Sequence, residues 1–209
     1  MGLREEKKQA TRVAIADAAL GLFLERGFDR VTVAEVAQQV RLSVNTVFNY
    51  FPTKEDLFLD RQEEVVQRLP AAIRAREDTE SAVAAARRAF LAELDRDEAT
   101  LGLHPGIEAF WRVAEESPAL QARLRQMRDR TEEVLAETLR EETGADESDA
   151  MPRVAAALLT AADSALHAEI RRRVLEGEDP ESVREAIRRM VEVTFEVLAG
   201  GLTTYAQRS

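Results

Sequence analysis

The sequence predicts an all-α protein of about nine helices. Residues with high helix propensity, above all Ala, Leu, Glu and Arg, are abundant along the whole chain. No run of β-branched residues alternates apolar and polar side chains with the period of two that marks a strand. Proline recurs near the expected helix starts, where its missing N–H is tolerated. With 209 residues, the chain is long enough to bury a substantial core.

The first two helices are predicted from an apolar stripe and a capping pattern. Apolar residues recur at helical spacing between Ile15 and Phe23, and Gly27 follows as a C-terminal stop. Thr32 begins the sequence TVAE, in which Glu35 stands three residues later. This spacing is typical of a capping box, because each side chain can bond the backbone N–H of the other residue. A second, short helix should therefore begin just after Thr32.

The other helices follow from caps and proline positions. After the tight turn RLS, Ser43 is placed to cap the helix VNTVFNYF, which stops before Pro52. Thr53 is placed to cap the next helix, and apolar residues beyond it predict one continuous helix over 54–75. The pattern divides the chain into a three-helix head, 1–53, and a helical body, 54–209. The remaining helices are predicted at 80–96, 105–116, 118–142, 151–176 and 180–204.

The head has the pattern of a helix-turn-helix, in which two short helices joined by a tight turn follow a third helix. The second short helix of this motif lies in the major groove of DNA, which is about 12 Å wide. Its N-terminal residues meet the base edges, and Val44, Asn45 and Thr46 occupy those positions. Asn45 and Asn49 lie one helical turn apart, and Asn side chains pair with adenine edges.

The charge distribution supports a contact with phosphates at the head. Residues 1–54 carry eight Lys/Arg and six Asp/Glu, whereas the remainder carries 21 Lys/Arg and 33 Asp/Glu. A mildly basic head on an acidic body can face DNA although the whole chain has a net charge of −10. Tyr50 offers a hydroxyl to a phosphate, and Lys54 offers an ammonium beside the free N–H groups of a helix start.

The segment TRVAIADAALGLFLERGFDRVTVAEVAQQVRLSVNTVFNYFPTKEDLF resembles the DNA-binding head of the TetR family of bacterial transcriptional regulators. The resemblance implies an Ω-shaped, all-helical homodimer with a recognition helix at 44–50 and a divergent body that binds a small-molecule inducer. The turn of the motif usually carries Gly where this chain has Arg41, which is strained there if φ is positive. The DNA-binding residues are expected at Thr32, Ser43, Val44, Asn45, Thr46, Phe48, Asn49, Tyr50 and Lys54.

From this resemblance we expect a repressor that an inducer releases from a palindromic operator in double-stranded DNA. The operator is expected to be palindromic because a two-fold dimer places two recognition helices on two half-sites. The sequence does not separate a repressor from an activator. It also leaves open two alternatives, a helical adaptor whose head does not bind DNA and, after it, an all-α enzyme.

The last two helices have features of a homodimer interface. The helix at 151–176 is rich in Ala, which lets a partner helix approach closely, and the helix at 180–204 has a second apolar face. The alternative is that both stripes belong to the internal core. The expected interface residues are Ala161, Ala165, Ile187, Met190, Val191, Thr194, Val197 and Leu198.

Ligand pockets are mostly apolar and contain a few polar groups, and this composition selects the candidate inducer contacts. Asp163 and His167, four residues apart on one helix face, are the candidates for holding a polar ligand. For the apolar candidates the alternative is an ordinary place in the core. The expected ligand-binding residues are Phe90, His104, Phe110, Trp111, Met127, Asp163 and His167.

Several classes of protein are excluded by what the sequence lacks. Without Cys there is no disulfide framework and no Cys-based zinc site. The start of the chain is charged and unlike a secretory signal, and no run is long and apolar enough to cross a membrane, so we expect a cytoplasmic protein. The two His fit no metal-binding motif, and no nucleotide-binding or nucleophile motif is present. We therefore expect no catalytic residues, no metal and no cofactor.

Overall fold

A computed structural model describes residues 2–202 of the chain. Within that range the protein forms ten α-helices and one short 3-10 helix and has no strand, which confirms the predicted all-α class. The helices are α1 (Leu3–Arg26), α2 (Val33–Gln39), α3 (Val44–Tyr50), α4 (Lys54–Phe58), α5 (Gln62–Arg74), α6 (Ala82–Asp95), α7 (Ile107–Glu116), α8 (Pro118–Thr143), α9 (Met151–Leu175) and α10 (Pro180–Leu202). The predicted end of the last helix, at 204, lies outside the described residues.

The single helix predicted over 54–75 is wrong, because two helices, α4 and α5, occupy that range. The first of them ends at a C-cap, Leu59, whose ψ of 50° is not helical. A turn follows, closed by a bond from the N–H of Gln62 to the carbonyl of Leu59 (3.0 Å). The side-chain amide of Gln62 then donates to the buried carboxylate of Asp56 (2.7 Å). This side-chain bond holds the start of α5 against α4, and the apolar periodicity of the sequence does not reveal it.

The chain divides into two compact units, each made of two segments. The first unit consists of Met1–Gln62 and Ala109–Leu124, and the second of Glu63–Glu108 and Arg125–Ser209. The first unit thus holds more than the predicted head, 1–53. The functional division of the chain after residue 53 stays a prediction.

The core of the first unit is built on α1 and on aromatic side chains. Phe23 from α1 is fully buried, and its ring lies 5.0 Å from the ring of Phe28 and 6.0 Å from that of Phe58, between ring centroids. From α3, Val47 and the following Phe51 are buried in the same core, at 0% and 1% exposure. This burial fixes which side chains of α3 face outward.

The turn between α2 and α3 is a Schellman motif. The N–H of Leu42 donates to the carbonyl of Ala37 (2.9 Å), and the N–H of Arg41 donates to that of Gln38 (3.1 Å). This geometry needs a left-handed residue, and Arg41 has φ of 56°. The condition for strain at Arg41 is therefore met, because an L-residue with a side chain is disfavoured in this region.

The core of the second unit includes the faces at which α10 packs on α6 and α9. Side chains of α10 spaced four residues apart, from Val183 to Phe195, are buried on this face. Ile187 and Val191 belong to this row and have no exposed surface. These two residues were predicted at a dimer interface, and the structure corrects that prediction because they are covered within their own chain.

We expect Arg41→Gly to stabilise the protein by about 0.5–1 kcal/mol, because relief of the left-handed strain exceeds the entropy lost by the freer glycine. The matched control is Gln38→Gly, an exposed position inside α2, which should cost about 1 kcal/mol. Urea unfolding of both variants measures the two effects. If Arg41→Gly lost as much stability as the control, the backbone at Arg41 would not be strained.

Candidate functional site

The helix α3 presents a defined outer face to solvent. Val44 and Phe48 are 37% and 42% exposed although their side chains are apolar. Asn45 and Asn49 are exposed beside them. Since the opposite side of α3 is buried, amide, aromatic and aliphatic groups are held together on the side that faces water.

The N-terminus of α3 is capped as predicted. The hydroxyl of Ser43 accepts a hydrogen bond from the N–H of Thr46 (3.1 Å) and shares a second bond with the Thr46 hydroxyl (2.7 Å). These bonds satisfy an N–H that would otherwise lack a helical partner. Ser43 and Thr46 were predicted to contact DNA, and here their hydroxyls are engaged in fixing the first turn of the helix.

The C-terminus of α3 is held by Arg12 of α1, which sequence reasoning missed. Its guanidinium donates to the carbonyl of Tyr50 (2.9 Å) and to the carbonyl of Asp60 (3.0 Å). The same group lies 4.2 Å from the centre of the Phe51 ring. A cation at the C-terminal end of a helix is favoured by the helix dipole. No local sequence pattern predicts this contact, because 38 residues separate Arg12 from Tyr50.

The N-terminus of α2 carries the predicted capping box at Thr32. The Glu35 carboxylate accepts from the Thr32 N–H (2.8 Å), and the Thr32 hydroxyl accepts from the Glu35 N–H (3.3 Å). The same carboxylate pairs with Arg26 at 2.7 Å. The bond from the Thr32 backbone and then the bond from Arg26 lower the pKa of Glu35 to about 2. Glu35 is therefore ionised at neutral pH, and Thr32 is held at an exposed position.

Lys54 begins α4, and its ammonium donates to the carbonyl of Phe28 (2.6 Å). It also lies 4.2 Å from the centre of the Phe28 ring. Partial burial lowers the pKa of Lys54. The ammonium has three N–H donors, so the bond to Phe28 occupies only part of its capacity. The predicted phosphate contact of Lys54 is untested, and the structure adds a role in holding the turn after α1.

A buried carboxylate, Asp56, joins α4 to α8. It accepts from the Thr53 N–H (3.0 Å), from the Gln62 amide (2.7 Å) and from the Arg123 guanidinium (2.6 Å). Burial raises the pKa of Asp56, but the bonds from Gln62, Thr53 and Arg123 outweigh burial and leave the pKa below its usual value. Asp56 is thus an ionised and bonded centre inside the first unit.

The residues predicted to bind a ligand divide between the two units. Phe110 and Trp111 belong to the first unit, where the Phe110 ring stacks on Phe58 with 4.3 Å between centroids. In the second unit His104 is exposed and Met127 is half-buried. Phe90, Asp163 and His167 lie together: the Phe90 ring is 5.3 Å from the His167 ring between centroids, and His167 bonds the Asp163 carbonyl. The structure thus brings together three of the seven predicted residues.

Arg68 of α5 connects Asp163 and His167 to a further carboxylate, Glu93 of α6. The guanidinium bonds the Asp163 carboxylate, lies 3.3 Å from a Glu93 oxygen and 2.7 Å from Nε2 of His167. Because a guanidinium only donates, Nε2 of His167 accepts, and Nδ1 carries the proton that it donates to the Asp163 carbonyl (2.9 Å). Burial lowers the pKa of His167 and raises that of Glu93 to about 7. Sequence reasoning missed Arg68 and Glu93.

An exposed apolar stripe runs along α9 and α10. Val193 and Val197 of α10 are 62% and 73% exposed. The predicted interface residues Ala161, Ala165 and Val197 are exposed, and Met190, Thr194 and Leu198 are half-buried. The α9 part of the stripe repeats at intervals of three and four residues and consists of Met151, Val154, Leu158, Ala161, Ala165 and Ala168.

Among residues 2–202, no helix combines the length and apolarity needed to cross a bilayer. Within the same part of the chain, no three His, Cys, Asp or Glu side chains are grouped so that they could hold a metal ion.

A short capped helix with an exposed amide-bearing face, set on a helix-turn-helix core, defines a DNA-binding transcriptional regulator. Residues 15–60 match the family described as bacterial regulatory proteins, tetR family, and residues 77–199 match the MftR C-terminal domain. The chain belongs to the TetR family of bacterial transcriptional regulators. The family consists of regulators and not of enzymes.

Known proteins resemble the chain over most of its length. The HTH-type transcriptional regulator TcmR of Streptomyces glaucescens is 30% identical over 164 residues, which are 77% of this chain and 73% of TcmR. The solved structure of Salmonella enterica GusR has a TM-score of 0.55 at 20% identity and covers 93% of this chain and 96% of its own. A solved SmeT–triclosan complex has a TM-score of 0.53 at 20% identity and covers 91% of this chain and 90% of its own. These two structures support the fold alone.

We expect Arg12→Ala to destabilise the protein by about 1.5–3 kcal/mol, because charged hydrogen bonds to two carbonyls are lost. Lys8→Ala, at an exposed position of the same helix, is the control and should change stability by less than about 0.5 kcal/mol. Chemical denaturation of both variants measures the difference. If Arg12→Ala unfolded at the same midpoint as the control, the contact with α3 would have no energetic role.

Proposed function

We propose that the protein is a homodimeric repressor that acts in the cytoplasm and binds a palindromic operator through α3. A small molecule bound by the second unit releases it from the operator. One observation carries the DNA-binding part of the proposal: the outer face of α3 holds Asn45, Phe48 and Asn49 in water while Val47 is buried beneath them.

The dimensions and chemistry of α3 fit a major groove. Its seven residues span about 10 Å at a rise of roughly 1.5 Å per residue, which suits a groove about 12 Å wide. The amides of Asn45 and Asn49 can pair with adenine edges, and the apolar atoms of Val44 and Thr46 can meet a thymine methyl. Thr32, Tyr50 and Lys54 lie at the ends of the short helices, where contacts with phosphates set the orientation.

The apolar stripe on α9 and α10 supports the homodimer. Large side chains such as Leu158, Val193 and Val197 would lose contact with water if a second copy of the same two helices covered them. Most homodimers are two-fold symmetric, so each copy offers the same stripe to the other. Ile187 and Val191 take no part, because they are already covered within the chain. A two-fold dimer would present two α3 helices to two half-sites, which is why the operator is palindromic.

Release by a small molecule is supported by the family and by the cluster around Arg68. Ligand-responsive regulation is typical of the family. Of the proteins compared, SmeT was solved with triclosan bound. A ligand that prefers a conformation unable to bind the operator lowers operator affinity by its difference in affinity for the two conformations. Polar and charged side chains inside a core are the natural candidates for holding such a ligand. Arg68, Asp163 and His167 are side chains of this kind.

We expect Asn49→Ala to relax the preference at one base position by about 1–3 kcal/mol, because an amide pair with a base edge is lost. Binding to a set of operators with single base changes, followed by fluorescence anisotropy, measures the preference. The companion variant Lys54→Ala should weaken binding to all sequences alike and reduce the salt slope by about one. Equal losses that ignore sequence in both variants would refute the role of Asn49.

We expect Val197→Glu to convert the dimer to a monomer at micromolar concentration, because a carboxylate would be buried at an apolar interface without a partner. Light scattering should give twice the chain mass of 23.3 kDa for the wild type and the single mass for the variant. Val13→Glu is the control: Val13 is 47% exposed on α1, and the dimer should persist. A monomeric wild type would remove the dimer from the proposal.

A further inference from the structure

The second unit contains a group of charged side chains within its core, which we name the buried polar cluster: Arg68, Glu93, Asp163 and His167. Their side chains are 11%, 8%, 12% and 25% exposed, in that order, so His167 is the member nearest to solvent. Charges taken out of water are costly unless partners compensate them fully. The cluster can therefore be judged by how well its own members compensate one another.

The charges of the buried polar cluster do not balance. Arg68 supplies one positive charge, whereas Glu93 and Asp163 together supply two negative charges when both are ionised. His167 adds no charge in the tautomer that its bonds require, because its Nε2 accepts from Arg68. With both carboxylates ionised, the cluster keeps one uncompensated negative charge.

A second observation points to a missing hydrogen-bond partner. The hydroxyl of Thr160 is buried, the residue is 3% exposed, and the hydroxyl oxygen has no hydrogen-bond partner. Thr160 stands one helical turn before Asp163 on α9, and with His167 these residues share one face of the helix. A buried hydroxyl without a partner is destabilising, because the water that would bond it is lost and not replaced. The same face thus has both an excess of negative charge and an unmet hydrogen-bonding group.

An aromatic ring borders the cluster. The Phe90 ring meets the His167 ring edge-on at 5.3 Å between centroids, and the guanidinium of Arg68 lies 5.9 Å from the Phe90 centroid. Phe90 is 3% exposed. A ligand that reached the carboxylates would therefore meet an apolar, aromatic surface beside them.

We propose that the buried polar cluster binds a monocationic amine with an apolar body, and this inference rests on the small-molecule response proposed above. The ammonium lies between the carboxylates of Glu93 and Asp163, and the Thr160 hydroxyl accepts one of its three N–H groups. The apolar body of the amine packs beside Phe90. The cation balances the one negative charge that Arg68 leaves uncompensated when both carboxylates are ionised.

Other ligand classes fit the cluster less well. An anion would add a negative charge to two carboxylates that share one guanidinium, and a like charge in a buried site is unfavourable. A neutral alcohol could bond the Thr160 hydroxyl but would leave the excess charge in place. Charge thus separates the amine from its neutral and anionic analogues.

The pH dependence of binding follows from the groups that face Glu93 and His167. Glu93 faces Arg68, Asp163, Glu98 and Arg96, and burial holds its pKa at about 7, so the free protein carries a proton there in mildly acidic solution. The cation favours the ionised carboxylate, so binding below this pH releases the proton. His167, which faces Arg68, Asp163 and Arg171, has a lowered pKa, and its protonation in acid would also oppose a cation. Affinity for the amine therefore rises with pH and levels off above about 7.

The test uses three probes of one shape: 4-phenylbutylamine, 4-phenylbutan-1-ol and 4-phenylbutanoate. Calorimetry of the full-length wild type should show the amine binding at least about tenfold more tightly than either analogue, with a further rise in affinity of about tenfold from pH 6 to pH 8. Buffers of different ionisation enthalpy should report the release of close to one proton at pH 6. Equal binding of the alcohol, tighter binding of the carboxylate, or no binding of the amine would overturn the proposal.

Two variants assign the effect to the cluster. Glu93→Gln keeps the shape of the protonated side chain and should lose both the selectivity for the amine and its pH dependence. Glu133→Gln, at an exposed position of α8, is the control and should bind as the wild type does. An effect of equal size in both variants would overturn the assignment.

Thermal unfolding checks that Glu93→Gln folds. It also measures, without any ligand, how the Glu93 carboxyl makes stability depend on pH. The folded-state pKa of Glu93 lies above its ordinary value of 4.5, so its contribution to stability is lost as pH rises through about 7. Glu93→Gln should therefore match the wild type near pH 5 and exceed it at pH 8.5. A stability difference between the wild type and the variant that does not change from pH 5 to pH 8.5 would contradict a buried, protonated Glu93.

Operator binding is measured in a separate experiment, so that a failure of the repressor proposal can be told apart from a failure of the amine-site proposal. If the protein binds its operator but no amine, the ligand class is wrong and the repressor proposal stands. If amine binding at the cluster leaves operator affinity unchanged, the assignment of the inducer to this cluster is wrong. Amine binding that weakens the operator complex, and does so only with Glu93 intact, supports both.

Discussion

The structure depends first on the burial of one side of α3. A helix of seven residues is too short to be stable alone in water, so its conformation comes from the core that Val47 and Phe51 enter. That burial also decides which side chains face outward, because the two sides of a helix are fixed relative to each other. Ser43 and Arg12 then fix the two ends of the helix. The exposed face with Asn45 and Asn49 is thus a consequence of packing on its opposite side.

Around this core, polar groups connect segments that are distant in the sequence. Asp56 receives bonds from Gln62 and Arg123, and Ser117 donates to Asp29 at 2.9 Å. These contacts bring 109–124 into the same compact unit as the helix-turn-helix. Helix α8 is continuous from Pro118 to Thr143, so it contributes residues to both units. The first unit is therefore completed by a segment that lies far beyond the predicted head.

The sequence predicted what local rules determine. The capping patterns at Thr32, Ser43 and Thr53 are confirmed, because each is set within about one helical turn. The break between α4 and α5 was missed, because it is marked by a side-chain bond from Gln62 and not by Gly or Pro. A stripe such as that of Ile187 has the same period in a core as in an interface, so only packing separates the two. Contacts such as those of Arg12 and Arg68 join distant segments and leave no local pattern.

The buried polar cluster is difficult to explain by folding alone. Apolar side chains of similar volume at Arg68, Glu93 and Asp163 would often give a core of equal or greater stability. Burial raises the pKa of Glu93 to about 7, and the attraction of Arg68 offsets this rise only in part. The Thr160 hydroxyl, on the same face of α9, has no partner either. A core that buries a carboxyl with a raised pKa and a hydroxyl without a partner is less stable than an apolar core. Under the proposed function this loss of stability is offset by a site that a small molecule completes.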